Sequence, residues 1–263
     1  MNDANAPIAV ICAMESELSH AVKCLDGRSS LLLGPWSAER GVLGKRPVIA
    51  LASGIGLVNA AAATAVLLAG VRPCAVINFG CAGAHNEKIF PGDVVIGSEV
   101  VAYGSLITLP DGSERYAGFR YRLNGQVTLT DLLRADRELL RRASDAARDW
   151  EPDAWPAART GARTPMVHTG VIGSADCWTQ DPQRIGVLHD RHHSLCEEME
   201  AAAIAQVCAI YEVPMLAIKD ISNNELHSAT EHSDAGPSLA EVSGELGARS
   251  FALVKRIIAS FDS

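Results

Sequence analysis

The chain has 263 residues, of which 48% are hydrophobic and 21% charged, and a formal net charge of −8 at pH 7. That length is enough to bury a large core and suits one domain. The acidic balance offers no basic footprint, which excludes nucleic acid and anionic membrane surfaces as natural partners. Residues 7–13 (PIAVICA) are a short apolar run rich in β-branched side chains, which predicts a buried strand. The runs 47–53 (PVIALAS) and 74–79 (CAVINF) repeat it, and the Ala/Leu/Val-rich stretch 57–70 between them predicts a helix. Further strands are predicted at 93–102, 166–172 and 213–218, and helices at 131–148, 182–189, 199–211 and 239–260. Strands alternating with helices predict an α/β domain over 1–263, with a largely parallel sheet covered on both faces. The turn-rich stretch 104–125 and the proline-bearing 151–165, with Trp150, Trp155, Arg159 and Arg163, read as a variable surface excursion at about 104–165. Such an excursion serves as a lid or an oligomer contact.

No apolar run reaches the roughly 18–20 residues that cross a bilayer. The first seven residues lack the basic start and apolar core of an export signal. Seven cysteines (Cys12, Cys24, Cys74, Cys81, Cys177, Cys196, Cys208) are scattered without a C-x-x-C pair. That pattern predicts reduced thiols in a cytoplasmic protein.

In folds of this class ligands bind beyond the carboxyl ends of the strands. The rule nominates residues 14–17, 54–58, 80–84, 174–178, 198–200 and 219–224. The richest of these stretches is Cys196-Glu197-Glu198-Met199-Glu200-Ala201-Ala202-Ala203. Acidic residues at a helix start commonly do no more than answer the helix dipole. Glu198 and Glu200, however, lie two apart, so an extended backbone points both to one side, beside the flexible Met199. That pair suits vicinal hydroxyls gripped against an apolar wall, as in a sugar. Glu197 faces the other way and reads as a solvated or ion-paired side chain. Ser53-Gly54-Ile55-Gly56 lacks the third glycine and the later acid of a dinucleotide fingerprint. His189, His192 and His193 do not have the spacing of a helical metal-binding pair and read as solvated. Cys81 and Cys177 have no evident histidine partner and read as small thiols rather than nucleophiles.

Set side by side, Ala13-Met14-Glu15-Ser16-Glu17, Ser53-Gly54-Ile55-Gly56, Asn78-Phe79-Gly80-Cys81-Ala82-Gly83, Glu198-Met199-Glu200-Ala201 and Lys219-Asp220-Ile221-Ser222-Asn223 form a pattern. Their order resembles the purine nucleoside phosphorylase/nucleosidase superfamily. It is most similar to the methylthioadenosine/S-adenosylhomocysteine nucleosidase branch over nearly the whole chain, least so from 104 to 165. The resemblance implies a twisted, mixed, largely parallel sheet in a three-layer sandwich, a homodimer, and no metal or cofactor. It implies that Glu17 activates the attacking water, that Glu200 binds the ribose hydroxyls with Met199 packed on the sugar, and that Glu198 sits at the inner edge. Trp178, after Cys177, falls where relatives place an aromatic ring against the purine. Cys81, Ala82, Gly83 and Ser222 line the substrate site, and Lys219 stands where the nucleosidases carry an arginine near water and sugar.

The implied reaction is hydrolysis of a purine nucleoside to free purine and a ribose derivative. Phosphorylases of the superfamily grip phosphate with arginines in the first and third loops named above, and those loops carry Glu17 and Asn78-Phe79-Gly80-Cys81 here, with no arginine. The alternatives are a phosphate-dependent phosphorylase and a nucleoside-binding protein with little turnover. Two residues depart from the nucleosidase pattern: Cys81 replaces a serine, and Asn223 replaces the aspartate that protonates the purine N7. An amide donates to N7 or to a 6-oxo group but cannot act as an acid. A 6-oxopurine substrate is therefore one expectation, and Asp220 or Asp176 as substitute acid is another. The 5′ substituent is expected to meet residues 104–121 and 224–234.

Overall fold

The computed structural model describes residues 6–156, 163–227 and 242–262. In chain order its elements are β1 (Ile8–Cys12), α1 (Glu15–Val22), β2 (Asp26–Leu33), β3 (Trp36–Leu43), β4 (Arg46–Ala52) and α2 (Leu57–Val71). Next come β5 (Ala75–Ala84), β6 (Val94–Val101), β7 (Leu106–Thr108), β8 (Glu114–Tyr116), β9 (Phe119–Leu123), β10 (Gln126–Thr130), β11 (Leu133–Arg134) and α3 (Arg137–Ala147). The chain ends with β12 (Val167–Ser174), α4 (Pro182–His192), β13 (Ser194–Glu198), α5 (Ala201–Tyr211), β14 (Met215–Asn223) and α6 (Ala248–Ala259).

Every residue of β1 is buried, and its side chains alternate between two apolar layers. Ala9 and Ile11 pack with α2 and α5, whereas Ile8, Val10 and Cys12 pack with α1, α3 and α6. A strand's two-residue period therefore divides one apolar run between two cores, giving the three layers expected. β1 lies parallel to β4 and β5, and β5 runs parallel to β14. The sheet is mixed because β6 is antiparallel to β14, and β13 is antiparallel to β5. The pairings β5–β14–β6–β12–β13–β5 also close part of it into a ring. The ring brings the end of β13 against β5, beside the ends of β1, β4 and β14.

Several boundaries differ from the sequence reading. α5 starts at Ala201 rather than Met199, because the Glu198 carboxylate accepts from the N–H groups of Glu200 and Ala201 and leaves Glu200 as N-cap. α3 starts at Arg137, where Asp136 accepts from the N–H groups of Glu138 and Leu139, and the residues before it pair with β6. α6 starts at Ala248 after Gly247, and the predicted start at Leu239 lies outside the described residues, as do Arg159 and 228–234. The β2–β3 hairpin was not predicted. It braces the site, since the Trp36 indole N–H donates to the carbonyl of Ser53 at 2.9 Å in the loop after β4. The stretch 104–130 holds two small hairpins, β7–β8 and β9–β10.

Candidate active site

A cavity of about 410 Å³ opens where the ends of β1, β4, β5, β13 and β14 meet. Its walls include Glu17, Cys81, Ala82 and Gly83 on one side, and Cys177, Trp178, Glu198, Met199 and Glu200 on another. Ser222 and Asn223 complete the set. Of the residues singled out from sequence, Lys219 alone stands behind the wall rather than in it. Met14 and Ile55, from two of the nominated strand-end stretches, also line the cavity, and so do Leu246 and Glu197, which were not foreseen there.

Glu17 enters from the first turn of α1 and is almost completely buried. Its Oε2 accepts from the N–H groups of Ala13 (3.0 Å) and Met14 (3.1 Å), and its Oε1 from that of Cys81 (2.9 Å). A carboxylate has about four acceptor positions, so one lone pair on Oε1 is left unclaimed by the backbone. The approach depends on Gly80, whose φ is 146° and whose absent Cβ would stand 2.6 Å from Glu17 Oε1. Burial and the charge of Glu17 hold the neighbouring Cys81 thiol well above its usual range, so it stays protonated.

The two carboxylates of the Glu198-Met199-Glu200 motif converge as expected but divide the work. Glu198 caps α5 and lies 2.8 Å from the Lys219 ammonium, so the dipole-answering function and the charged cluster coexist. Glu200 accepts from the N–H of Gly56 at 2.9 Å, and its second oxygen is 4.0 Å from Lys219 Nζ. Gly56 is needed there. Its φ is 99°, and a Cβ would stand 2.8 Å from Asp176 Oδ1. That is the use of Ser53-Gly54-Ile55-Gly56: it offers a backbone donor to Glu200. Burial alone would lower the Lys219 pKa, but the carboxylates of Glu198, Glu200 and Glu17 hold it above the ordinary lysine value. Burial, reinforced by the charge of Glu198, pushes Glu200 upward.

At the other end of the cavity, Ser222 Oγ donates to Asn223 Oδ1 (2.7 Å) and Asn223 Nδ2 donates to Glu225 Oε1 (2.8 Å). These bonds fix the amide's orientation and leave one N–H and one oxygen lone pair for a ligand. Neither candidate substitute acid faces this space. Asp176 accepts from the Leu57 N–H at the start of α2 (2.7 Å). Asp220 accepts from the N–H groups of Gly247 (3.0 Å) and Arg249 (3.2 Å) at the start of α6. Of the two alternatives for Glu197 the solvated one is corrected: the side chain is buried, held by Thr179 and Tyr103, with His85 3.1 Å away. The signal for it was weak, because those partners lie far away in sequence. Of the three clustered histidines, His189 bonds the carbonyl of Ser194 and His192 meets Tyr116 edge-on. Among the described residues no group of three or more His, Cys, Asp or Glu side chains is placed to hold a metal ion.

Burial pushes the Asp220 carboxyl up to about 7, against the pull of Arg249. An acid whose folded pKa lies above its unfolded value stabilises the fold below the unfolded pKa, and that contribution fades as pH rises through the folded one. The stability advantage of wild type over Asp220→Asn should therefore shrink between about pH 4 and pH 7. Urea unfolding of both proteins at pH 5 and pH 8 measures it; a constant difference contradicts the assignment.

A strand-end cavity lined by carboxylates and a fixed amide donor is suited to an enzyme that cleaves glycosidic bonds. The comparisons with known proteins place it further. The phosphorylase superfamily pattern matches residues 7–259. A methylthioadenosine/S-adenosylhomocysteine nucleosidase of Geobacillus sp. (strain WCH70) is 35% identical, over 82% of this chain and 84% of its own length. One from Bacillus cereus (strain G9842) is 33% identical, over 82% and 85%. The solved nucleosidase of Neisseria meningitidis, in complex with methylthio-immucillin-A, superposes with a TM-score of 0.72 at 27% identity, covering 98% of each chain. The chain belongs to the phosphorylase superfamily.

Proposed function

We propose that this cavity hydrolyses the N-glycosidic bond of a purine nucleoside, releasing free purine and a ribose derivative. The observation that carries the reading is a cavity with Glu17 and Glu200 in its walls and, among the described residues, no arginine or lysine lining it. Phosphate would need a cation there. Water needs only a base. Nucleosidase relatives at 33–35% identity support the same reaction.

Departure of the purine leaves an oxocarbenium-like sugar, whose positive charge the cavity carboxylates stabilise. Glu17 takes a proton from water, and the oxygen bonds to C1′ as the C1′–N9 bond breaks. The electrons of that bond go to the purine, where the free N–H of Asn223 stabilises the negative charge. The base takes its proton from solvent, since an amide has none to give. Glu200 accepts from the ribose hydroxyls and Met199 packs on the ring. Glu198 with Lys219 holds Glu200 in place, and the Trp178 ring, 46% exposed, covers the base.

The protein is further proposed to act as a homodimer in the cytoplasm. Exposed Ile55 and Val58 beside the cavity support an apolar contact with a second copy, and seven free cysteines support a reducing compartment. No helix among the described residues is long and apolar enough to cross a membrane. Product analysis on adenosine, inosine and 5′-methylthioadenosine, with and without phosphate, tests the reaction. Free ribose or its 5′-substituted form is expected in both conditions; ribose 1-phosphate, or binding without turnover, overturns it.

A further inference from the structure

Glu197 takes no part in capping α5 or in holding Lys219, yet it is among the most enclosed acids of the chain. Its Oε1 accepts from the N–H of Thr179 at 2.6 Å. Its Oε2 accepts from the Tyr103 hydroxyl at 2.7 Å and from Thr179 Oγ1 at 2.9 Å. His85 Nε2 stands 3.1 Å from that oxygen, close but not aligned as a hydrogen bond, and its Nδ1 is 2.8 Å from Ser194 Oγ. The Tyr103 hydroxyl also lies 3.2 Å from the carbonyl of Cys177. All these side chains are buried apart from that of Cys177. Burial acts to raise the Glu197 pKa, but His85 and the donors around it hold the carboxyl below its usual range.

Strand register makes the arrangement possible. Glu197 pairs with Gly83 on β5 and with Gly173 on β12. A Cβ on Gly173 would stand 3.2 Å from the Tyr103 ring, so the bare glycine gives that ring its seat. Asn223 pairs with Gly83 from the opposite strand. Glu197 and Asn223 thus flank one glycine of the cavity wall. The result is a segment tied just after Trp178 through the Thr179 amide and hydroxyl, with the Cys177 carbonyl resting beside the Tyr103 oxygen, while the Trp178 ring itself is left exposed.

We propose that Glu197, backed by Tyr103 and His85, is a positioning residue that holds the segment 177–179 as the wall against which the base binds. The inference rests on the nucleosidase reading above. It assigns Glu197 to ground-state binding rather than to bond cleavage, so its loss acts on KM and spares kcat. The bond also withdraws the Thr179 N–H from the cavity, which leaves the face of Trp178 to make this wall's contact with the base.

The test compares the full-length wild type with Glu197→Ala, Tyr103→Phe and Glu197→Gln. In Glu197→Ala, KM for the cleaved nucleoside should rise between roughly tenfold and a hundredfold, the loss expected for a hydrogen bond to a charged group. Its kcat should change by less than about threefold. Tyr103→Phe should shift KM in the same direction by less. Glu197→Gln, whose amide oxygen still accepts from Thr179, should recover most of the loss. Amide exchange across 175–180 should quicken in the alanine and phenylalanine variants while β1 and β5 keep wild-type protection. Unchanged KM with unchanged exchange overturns the proposal, as does loss of kcat at constant KM. The exchange measurement needs no substrate. Absence of nucleoside turnover by wild type would therefore overturn the nucleosidase reading, and the exchange result alone would decide the clamp. Should the alanine variant fail to fold, Tyr103→Phe and Glu197→Gln carry the same test.

Discussion

Glu17→Gln is expected to lower kcat by roughly 10²–10⁴-fold, the usual contribution of a positioned general base, while nucleoside still binds. The local geometry makes the substitution informative. A glutamine oxygen placed at the Oε2 position still accepts from Ala13 and Met14, so the turn at the start of α1 keeps its anchors. The amide nitrogen then faces the N–H of Cys81, where two donors meet, and that one bond is lost. What disappears is the lone pair that takes the proton from water. Single-turnover kinetics, with nucleoside affinity measured by calorimetry, separate the two effects. Affinity within a few-fold of wild type is expected, because Glu17 holds the water and not the sugar. Undiminished turnover would remove Glu17 from its assigned place.

Much of this site was legible in the sequence because its parts are strand ends. Apolar β-branched runs mark β1, β4, β5, β6, β12 and β14, and the residues that follow them lie where such a sheet binds ligands. The β2–β3 hairpin was not legible. β2 is mostly exposed and its DGRSSLLL shows no alternation, so neither periodicity nor burial marks it as a strand. Boundaries moved where a side chain caps a helix: Glu198 delays α5, and Asp136 sets α3. For Glu197 the solvated alternative fails and the paired one holds, with His85 3.1 Å away. Alternation correctly turns it away from Glu198, but an outward-facing strand position is solvated only if nothing covers it. Here Tyr103 and His85, from loops remote in the chain, close over it, and no local pattern announces such a contact. Lys219 was placed near water and sugar, whereas its ammonium lies behind the cavity as the counter-ion of two carboxylates.

Lys219→Met is expected to destabilise the fold by about 3–5 kcal/mol at pH 8, the usual consequence of removing one partner from a buried charge cluster. Lys219 is 1% exposed, as enclosed as the apolar residues around it, and Met fills a comparable volume, so the loss is electrostatic rather than a cavity. Without the ammonium, Glu198 and Glu200 face each other uncompensated. Glu198 keeps its bonds to the N–H groups of α5, and Glu200, already pushed upward by burial, is the group that takes up a proton. The sign with pH follows. Glu200 is already pushed upward by burial, and losing Lys219 pushes it further, so the destabilisation should be smaller at pH 5 and grow as pH rises. Urea midpoints across that range measure it, and a penalty constant with pH would mean that the lysine acts only as filler. The same proton reaches function, because a neutral Glu200 is a poorer acceptor for ribose hydroxyls. The variant should therefore lose nucleoside affinity near pH 8 beyond its loss of stability. Lys219→Arg keeps the charge and so separates the two causes. It should retain the pH profile of wild type while paying for its bulk with about 1–3 kcal/mol of strain.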